Sequence, residues 1–210
     1  MSALDRSFLA RLRNDARGAT VIEFALIALP VCILMMGGME VAYESYVRAV
    51  MQGALTDAAR DASVETPDLF DPGDTIEKKV EAAIRRQAGR IAVKAEITVK
   101  QRNFYEFSGV NRAEKLLSDV NGNGEFDEED GDCWEDANDN GMFDLDSSGE
   151  GRGSADDIAF YSARVVMPRL FPVTGFVPMK PDFDLTIETA VRNQPYGDQK
   201  KPAVLCGEAS

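Results

Sequence analysis

Hydrophobic positions along the chain fall into three patterns. From Ala19 to Met39 they are almost continuous, ATVIEFALIALPVCILMMGGM, 21 residues with one ionisable side chain, Glu23. At about 1.5 Å per residue a helix of this length covers about 31 Å, the thickness of a bilayer core. The run continues, without a small-residue cleavage motif, into VAYESYVRAVMQGALTDAARDA, where apolar and polar residues recur at helical spacing. The pattern predicts one long helix, membrane-embedded first and amphipathic afterwards. Pro30 and the pair Gly37-Gly38 can bend it wherever neighbouring groups satisfy the freed backbone.

The second pattern is short and helical. After a connector rich in Pro, Gly and Asp, SVETPDLFDPGD, the segment TIEKKVEAAIRRQAGRIA places Ile76, Val80, Ile84 and Ile91 toward a core, with Asp74 as the expected N-cap. The third pattern is alternation, in AEITVKQRNFYEF, DIAFYSARVVMP and DFDLTIETAVRN, as in half-buried strands. Together they predict an α+β fold: a long N-terminal transmembrane and amphipathic helix, then a small exported domain with an antiparallel sheet. The expected organisation is a basic leader over 1–18, the helix over 19–62, and an exported domain over 63–210 with an acidic insertion at 119–150. Lys200, Lys201 and the residues after them read as a loose tail.

Charge and composition narrow the function. The net charge is -13 and histidine is absent. That removes the commonest general base, the usual triad partner and the commonest zinc ligand. No Gly-rich phosphate loop, serine elbow or basic-aromatic patch is visible, so neither an enzyme nor a nucleic-acid partner is expected. The basic residues Arg6, Arg11, Arg13 and Arg17 precede the apolar run. By the positive-inside rule they hold the N-terminus in the cytoplasm and send everything after Met39 outward. The expectation is a single-pass inner-membrane protein with a periplasmic or extracellular domain. Of three cysteines, Cys32 lies in the apolar run, while Cys133 and Cys206 lie in the exported part without zinc-type spacing. On the oxidising side those two are the candidate disulfide.

Between Asp119 and Glu150 there are thirteen acidic residues and no lysine or arginine. Within DVNGNGEFDEED, Asp119, Asn121, Asn123, Gly124, Asp127 and Asp130 occupy positions 1, 3, 5, 6, 9 and 12 of an EF-hand-type calcium loop. Glu125 supplies its carbonyl at position 7. A second copy, DANDNGMFDLDS, offers Asp136, Asn138, Asn140, Gly141 and Asp144, then Asp146 or Ser147 where a closing bidentate glutamate would be ideal. Oxygens at alternate positions can converge on one hard divalent cation, because glycine at position 6 permits the sharp turn. The copies start 17 residues apart, too close for two helix-loop-helix hands. The arrangement resembles dockerin or thrombospondin type 3 calcium loops, the alternative being a disordered acidic linker.

Glu23 remains to be explained, since an ionisable group within a membrane segment is costly. The string RGATVIEFALIALP resembles the processing site of type IV pilin-like proteins, where a prepilin peptidase cuts after a glycine and a glutamate takes the fifth mature position. The resemblance implies cleavage between Gly18 and Ala19. It also implies that Glu23 neutralises the new N-terminal amine of a neighbouring subunit, a pairing favoured in a low dielectric. The residues alone also allow a glutamate that snorkels to the headgroups. With GGMEVAYESYVRA following, the stretch Arg17 to Ala62 looks like the TadE/TadF-like pseudopilins of the tight adherence (Flp-type) pilus system. YSARVVMPRLFPVTGFVP and FDLTIETAVRNQPY resemble the end of TadE-like proteins, and the acidic insertion departs from the family pattern. The function implied is assembly of such a pilus or a related secretion machine. The implied partners are other pilin-like subunits, pilus assembly membrane proteins and a prepilin peptidase. The alternative is an unprocessed, membrane-anchored calcium-dependent adhesin or binding module, and the mature N-terminal residue separates the two.

Overall fold

The computed structural model describes residues 18–67, 72–89, 91, 94–171 and 180–208. The basic leader ahead of Gly18 lies outside them. Helix α1 spans Ala19–Ala62 as one α-helix, Pro30 included. Its apolar part has an 18-residue window of mean hydropathy 2.2 with none of it buried. The helix is therefore long and apolar enough to cross a membrane. From Val47 the character changes: Val47, Met51, Leu55, Ala58 and Ala62 are buried, at spacings of three and four that form one stripe.

The described residues fall into two compact units, one drawn from Met1–Glu44 and Arg169–Pro181, the other from Ser45–Pro168 and Asp182–Ser210. The second holds an antiparallel sheet of β1 (Glu96–Phe104), β4 (Gly149–Glu150), β5 (Ile158–Pro168) and β6 (Asp182–Arg192), in the order β4-β1-β5-β6. Alternation sets which face is buried. Ile97 lies opposite Val165, and Val165 opposite Leu185, so one row of buried aliphatic side chains crosses three strands. Each such side chain contributes about 1.5–3 kcal/mol through burial. Helix α2 (Ile76–Ala88) adds Val80 and Ile84 to this core. Its cap is one residue later than expected. Thr75, not Asp74, has the extended backbone that precedes the first helical turn, and its side-chain oxygen accepts the Lys78 N–H at 3.4 Å. Asp74 instead makes an exposed ion pair with Lys78 at 4.0 Å.

The carbonyl of Ala62 at the end of α1, and those of two residues just beyond it, are met by a cation. The Arg152 guanidinium donates to the carbonyls of Ala62, Val64 and Glu65 at 3.4, 2.6 and 3.3 Å, satisfying one carbonyl that the helix C-terminus leaves unpaired and tying down the turn that follows.

A second antiparallel sheet, β2 (Lys115–Ser118), β3 (Cys133–Asp136) and β7 (Ala203–Cys206) in the order β2-β3-β7, is absent from the sequence-based expectation. It corrects the loose tail. Ala203–Cys206 pairs along the whole of β3, Cys133 and Cys206 face each other and are disulfide-bonded, and Lys200 pairs with Asp139. Four ladder residues are too few to hold a strand alone, and the covalent bond supplies what they lack. Cys32 is free and exposed on α1.

Candidate functional site

Both acidic loops fold into one kind of cradle. In loop 1 (119–130) the two Asp119 carboxylate oxygens accept the N–H groups of Gly122 and Gly124 at 2.6 and 2.7 Å. Asn121 and Asn123 each accept, through Oδ1, the N–H two residues ahead, at 2.9 and 2.7 Å. In loop 2 (136–147) Asp136 accepts from Asn140 and Gly141 at 3.1 and 2.8 Å, and Asn138 and Asn140 accept from Asn140 and Met142 at 3.2 and 2.8 Å. Positions 4 and 6 take a left-handed backbone in both. These are Gly122 and Gly124 at φ 74° and 82° in loop 1, and Asp139 and Gly141 at φ 65° and 80° in loop 2.

Position 9 gathers the side chains. Asp127 Oδ2 accepts from Nδ2 of Asn121 and Asn123 at 3.1 and 2.7 Å, and Asp144 Oδ2 accepts from Nδ2 of Asn138 and Asn140 at 2.9 and 2.6 Å. In loop 1 Asp130 joins them, 2.5 Å from Asn121 Nδ2. In loop 2 the closing residues turn elsewhere: Asp146 pairs with Arg102 at 2.9 Å and Ser147 donates its hydroxyl to the Gly109 carbonyl at 3.0 Å. Among the described residues no group of three or more His, Cys, Asp and Glu side chains is arranged to hold a metal ion. What converges in each loop is carboxylate oxygen with the amide Nδ2 groups of two asparagines.

Two buried carboxylates that the sequence reading missed hold these cradles. Asp132, 0% exposed, accepts the N–H groups of Val120 and Asp127 at 2.8 and 2.9 Å, positions 2 and 9 of loop 1. Glu114 accepts those of Ala137 and Asp144 at 2.7 and 3.1 Å, the same positions of loop 2. Burial pushes the Glu114 carboxyl above its ordinary range, and the two N–H donors pull against that. Between the loops the position-8 rings Phe126 and Phe143 stack with centroids 4.5 Å apart and planes at 16°, and Trp134 meets Phe126 edge-on at 4.8 Å.

The predicted processing site sits at the other end of the chain. Gly18 precedes the first residue of α1, Ala19, and a side chain built on Gly18 would meet nothing within 4 Å among the described residues. Glu23 is exposed on α1, one turn past Ala19 on the same face. Residues 18–60 match the family model of TadE-like proteins. No curated protein and no solved structure matches the chain. The TadE-like segment begins at the glycine of the predicted cleavage site and includes Ala19, Glu23 and nearly all of α1. Over those residues the chain is similar to TadE-like proteins, and the helix they form is long and apolar enough to cross a membrane. The acidic loops lie beyond the matched segment.

A further cluster escaped the sequence reading. Glu40, 3% exposed, lies directly after the apolar run and pairs with Arg169 at 3.5 Å, while Glu44, one turn on, also pairs with Arg169. Glu40 accepts the Phe171 N–H at 3.1 Å as well. Its partners lie far along the chain, so no local pattern signals them.

Proposed function

We propose that this chain is a processed pseudopilin that takes part in building a tight adherence pilus or a related secretion machine, and that its role is structural rather than catalytic. The observation that carries the reading is the TadE-like match beginning at Gly18, with a glutamate one turn into the apolar helix that follows. Insertion requires only the apolar span. A carboxylate kept within it has a use when a neighbouring subunit brings a fresh N-terminal amine to the same low-dielectric layer. Cleavage falls between Gly18 and Ala19, the N-terminus starts in the cytoplasm, and the folded part is exported across the inner membrane. The partners are the prepilin peptidase, other pilin-like subunits and pilus assembly membrane proteins.

Intact-mass analysis of the mature protein tests the reading: the first residue is expected to be Ala19, and Gly18→Leu should leave the precursor uncut. A mature chain beginning at Met1 or beyond Met39 would sink it and favour an unprocessed anchored module. Glu23→Gln should insert normally yet lose co-purification with pilin-like partners.

The acidic loops extend this function with a structural calcium module. Loop 1 would hold the ion through Asp119, Asn121, Asn123, the Glu125 carbonyl, Asp127 and Asp130; loop 2 through Asp136, Asn138, Asn140 and Asp144. The supporting observation is that side chains at positions 3, 5 and 9 already face one another in both loops. A bound divalent ion also offsets the repulsion among so many carboxylates. Calorimetry on the full-length protein in detergent should show binding at millimolar calcium, stronger in loop 1, that Asp127→Ala reduces. No heat at that concentration would leave the loops as ion-free Asx turns.

A further inference from the structure

We propose that the neck of the β5–β6 connection, Arg169–Phe171 with Lys180 and Pro181, is a second membrane-contacting element that rests on the lipid interface beside the anchor helix. The proposal depends on reading Ala19–Met39 as the membrane span. Glu40 is the first residue after that span, and the neck is fastened to it: Arg169 pairs with Glu40 and Glu44, and the Phe171 N–H donates to Glu40. The two sides of the neck are also fastened to each other, since the Arg169 backbone N–H donates to the Pro181 carbonyl at 3.2 Å and its guanidinium Nε to the Lys180 carbonyl at 2.9 Å. Glu40 and Glu44 are one helical turn apart, about 5.4 Å along the axis. The neck is therefore held within about one turn of the level at which α1 leaves the hydrocarbon.

Chemistry at that level suits a lipid surface. Among the described residues of the neck Leu170 and Phe171 are apolar and uncharged, and the basic residues Arg169 and Lys180 stand beside them. Leu170 is 50% exposed and Met39 on α1 is 54% exposed, so apolar side chains on both elements lack protein cover. Tyr43, just past the span, is the kind of amphipathic ring that collects at membrane interfaces. The ion pairs lower the main obstacle. A carboxylate at the edge of the hydrocarbon is costly unless paired; Arg169, shared between Glu40 and Glu44, offsets part of their charge, and the backbone N–H of Phe171 satisfies the second Glu40 oxygen. Lys180 remains exposed and is placed to meet lipid phosphate.

The test uses full-length protein in vesicles of phosphatidylcholine and phosphatidylglycerol. With Trp134→Phe as background, Leu170→Trp places the sole tryptophan on the neck. Lipids brominated near the headgroup should quench its emission at least twofold, with a blue shift, and adding Arg169→Ala should cut that quenching by half or more. Formation of the Cys133–Cys206 disulfide checks that each variant folds. A water-like, unquenched emission from Leu170→Trp would overturn the proposal. So would quenching-free burial that appears only when a second pilin-like chain is reconstituted alongside, since that occupant is a protein. Phe24→Trp in the same background separates the two levels of inference: if deeply brominated lipids leave it unquenched, the span reading itself fails.

Discussion

Loop 1 and loop 2 fold their backbones by matching hydrogen bonds, yet they draw the carboxylate that braces them from very different distances along the chain. Asp132 lies two residues beyond the end of loop 1, so every hydrogen-bond acceptor described for that cradle is local. Glu114 lies before either loop begins and must be carried to loop 2 by the β2–β3 pairing and the chain that follows. Loop 2 also gives its closing residues away, Asp146 to Arg102 and Ser147 to Gly109. It places a non-glycine residue, Asp139, in the left-handed region where loop 1 has Gly122. The same cradle can thus be self-contained or dependent on the rest of the fold, and only the first kind is free to answer to a ligand by itself.

Perturbations should separate the two. The largest effect is expected from Cys133→Ser with Cys206→Ser, which unfastens β3, the strand between the loops. Thermal unfolding should show a loss of about 2–5 kcal/mol, and amide exchange should rise in both loops alike. An unchanged melt would show that the disulfide adds nothing to the β3–β7 pairing. Next come the braces. Asp132→Ala leaves two buried N–H donors unpaired and should cost about 3 kcal/mol, with exchange rising at Val120 and Asp127 while Ala137 and Asp144 stay protected. Glu114→Ala should reverse that pattern and cost less, about 2 kcal/mol, because its buried charge is itself disfavoured. Uniform exchange changes in either variant would mean that the loops do not fold as separate cradles. Gly124→Ala and Gly141→Ala force a side chain into the left-handed region and should each cost about 1–2 kcal/mol, measurable by chemical denaturation. Unequal values would expose a difference in rigidity.

The smallest expected effect is a pH dependence confined to loop 2. Burial holds the Glu114 pKa above its unfolded value, so the folded state binds this proton more tightly. Its contribution to stability is then full below the ordinary value of 4.5 and is lost as pH rises through the folded pKa. Subtracting the melting curve of Glu114→Gln from that of the parent protein across this range should isolate a falling slope. A rising slope would contradict the assignment of burial as the dominant cause.

How much of this could be read from the chain follows the same division between local and distant. The long helix, α2, β1, β5 and β6 were legible because their apolar residues recur at 3.6 or 2 positions, a property of neighbouring residues. Both loops were legible for the same reason, since their Asx hydrogen bonds span two to five residues. The second sheet was not: β2, β3 and β7 are four residues each, and β7 reads as a strand only once Cys206 lies opposite Cys133. Glu114, Asp132 and the Glu40–Arg169 pair look like ordinary surface charges in sequence. They become structural only through partners that no window contains.

The bond between Cys133 and Cys206 has a mechanical side. It closes a ring of sequence separation 73 that contains β4, β5 and β6. A protease nick anywhere inside that ring, the β5–β6 connection included, leaves one covalent molecule that comes apart only on reduction. Pulled from its two ends, the oxidised chain keeps about 250 Å of contour length in reserve. Tension then reaches the anchor helix and loop 1, while loop 2, β4, β5 and β6 inside the ring are shielded from it.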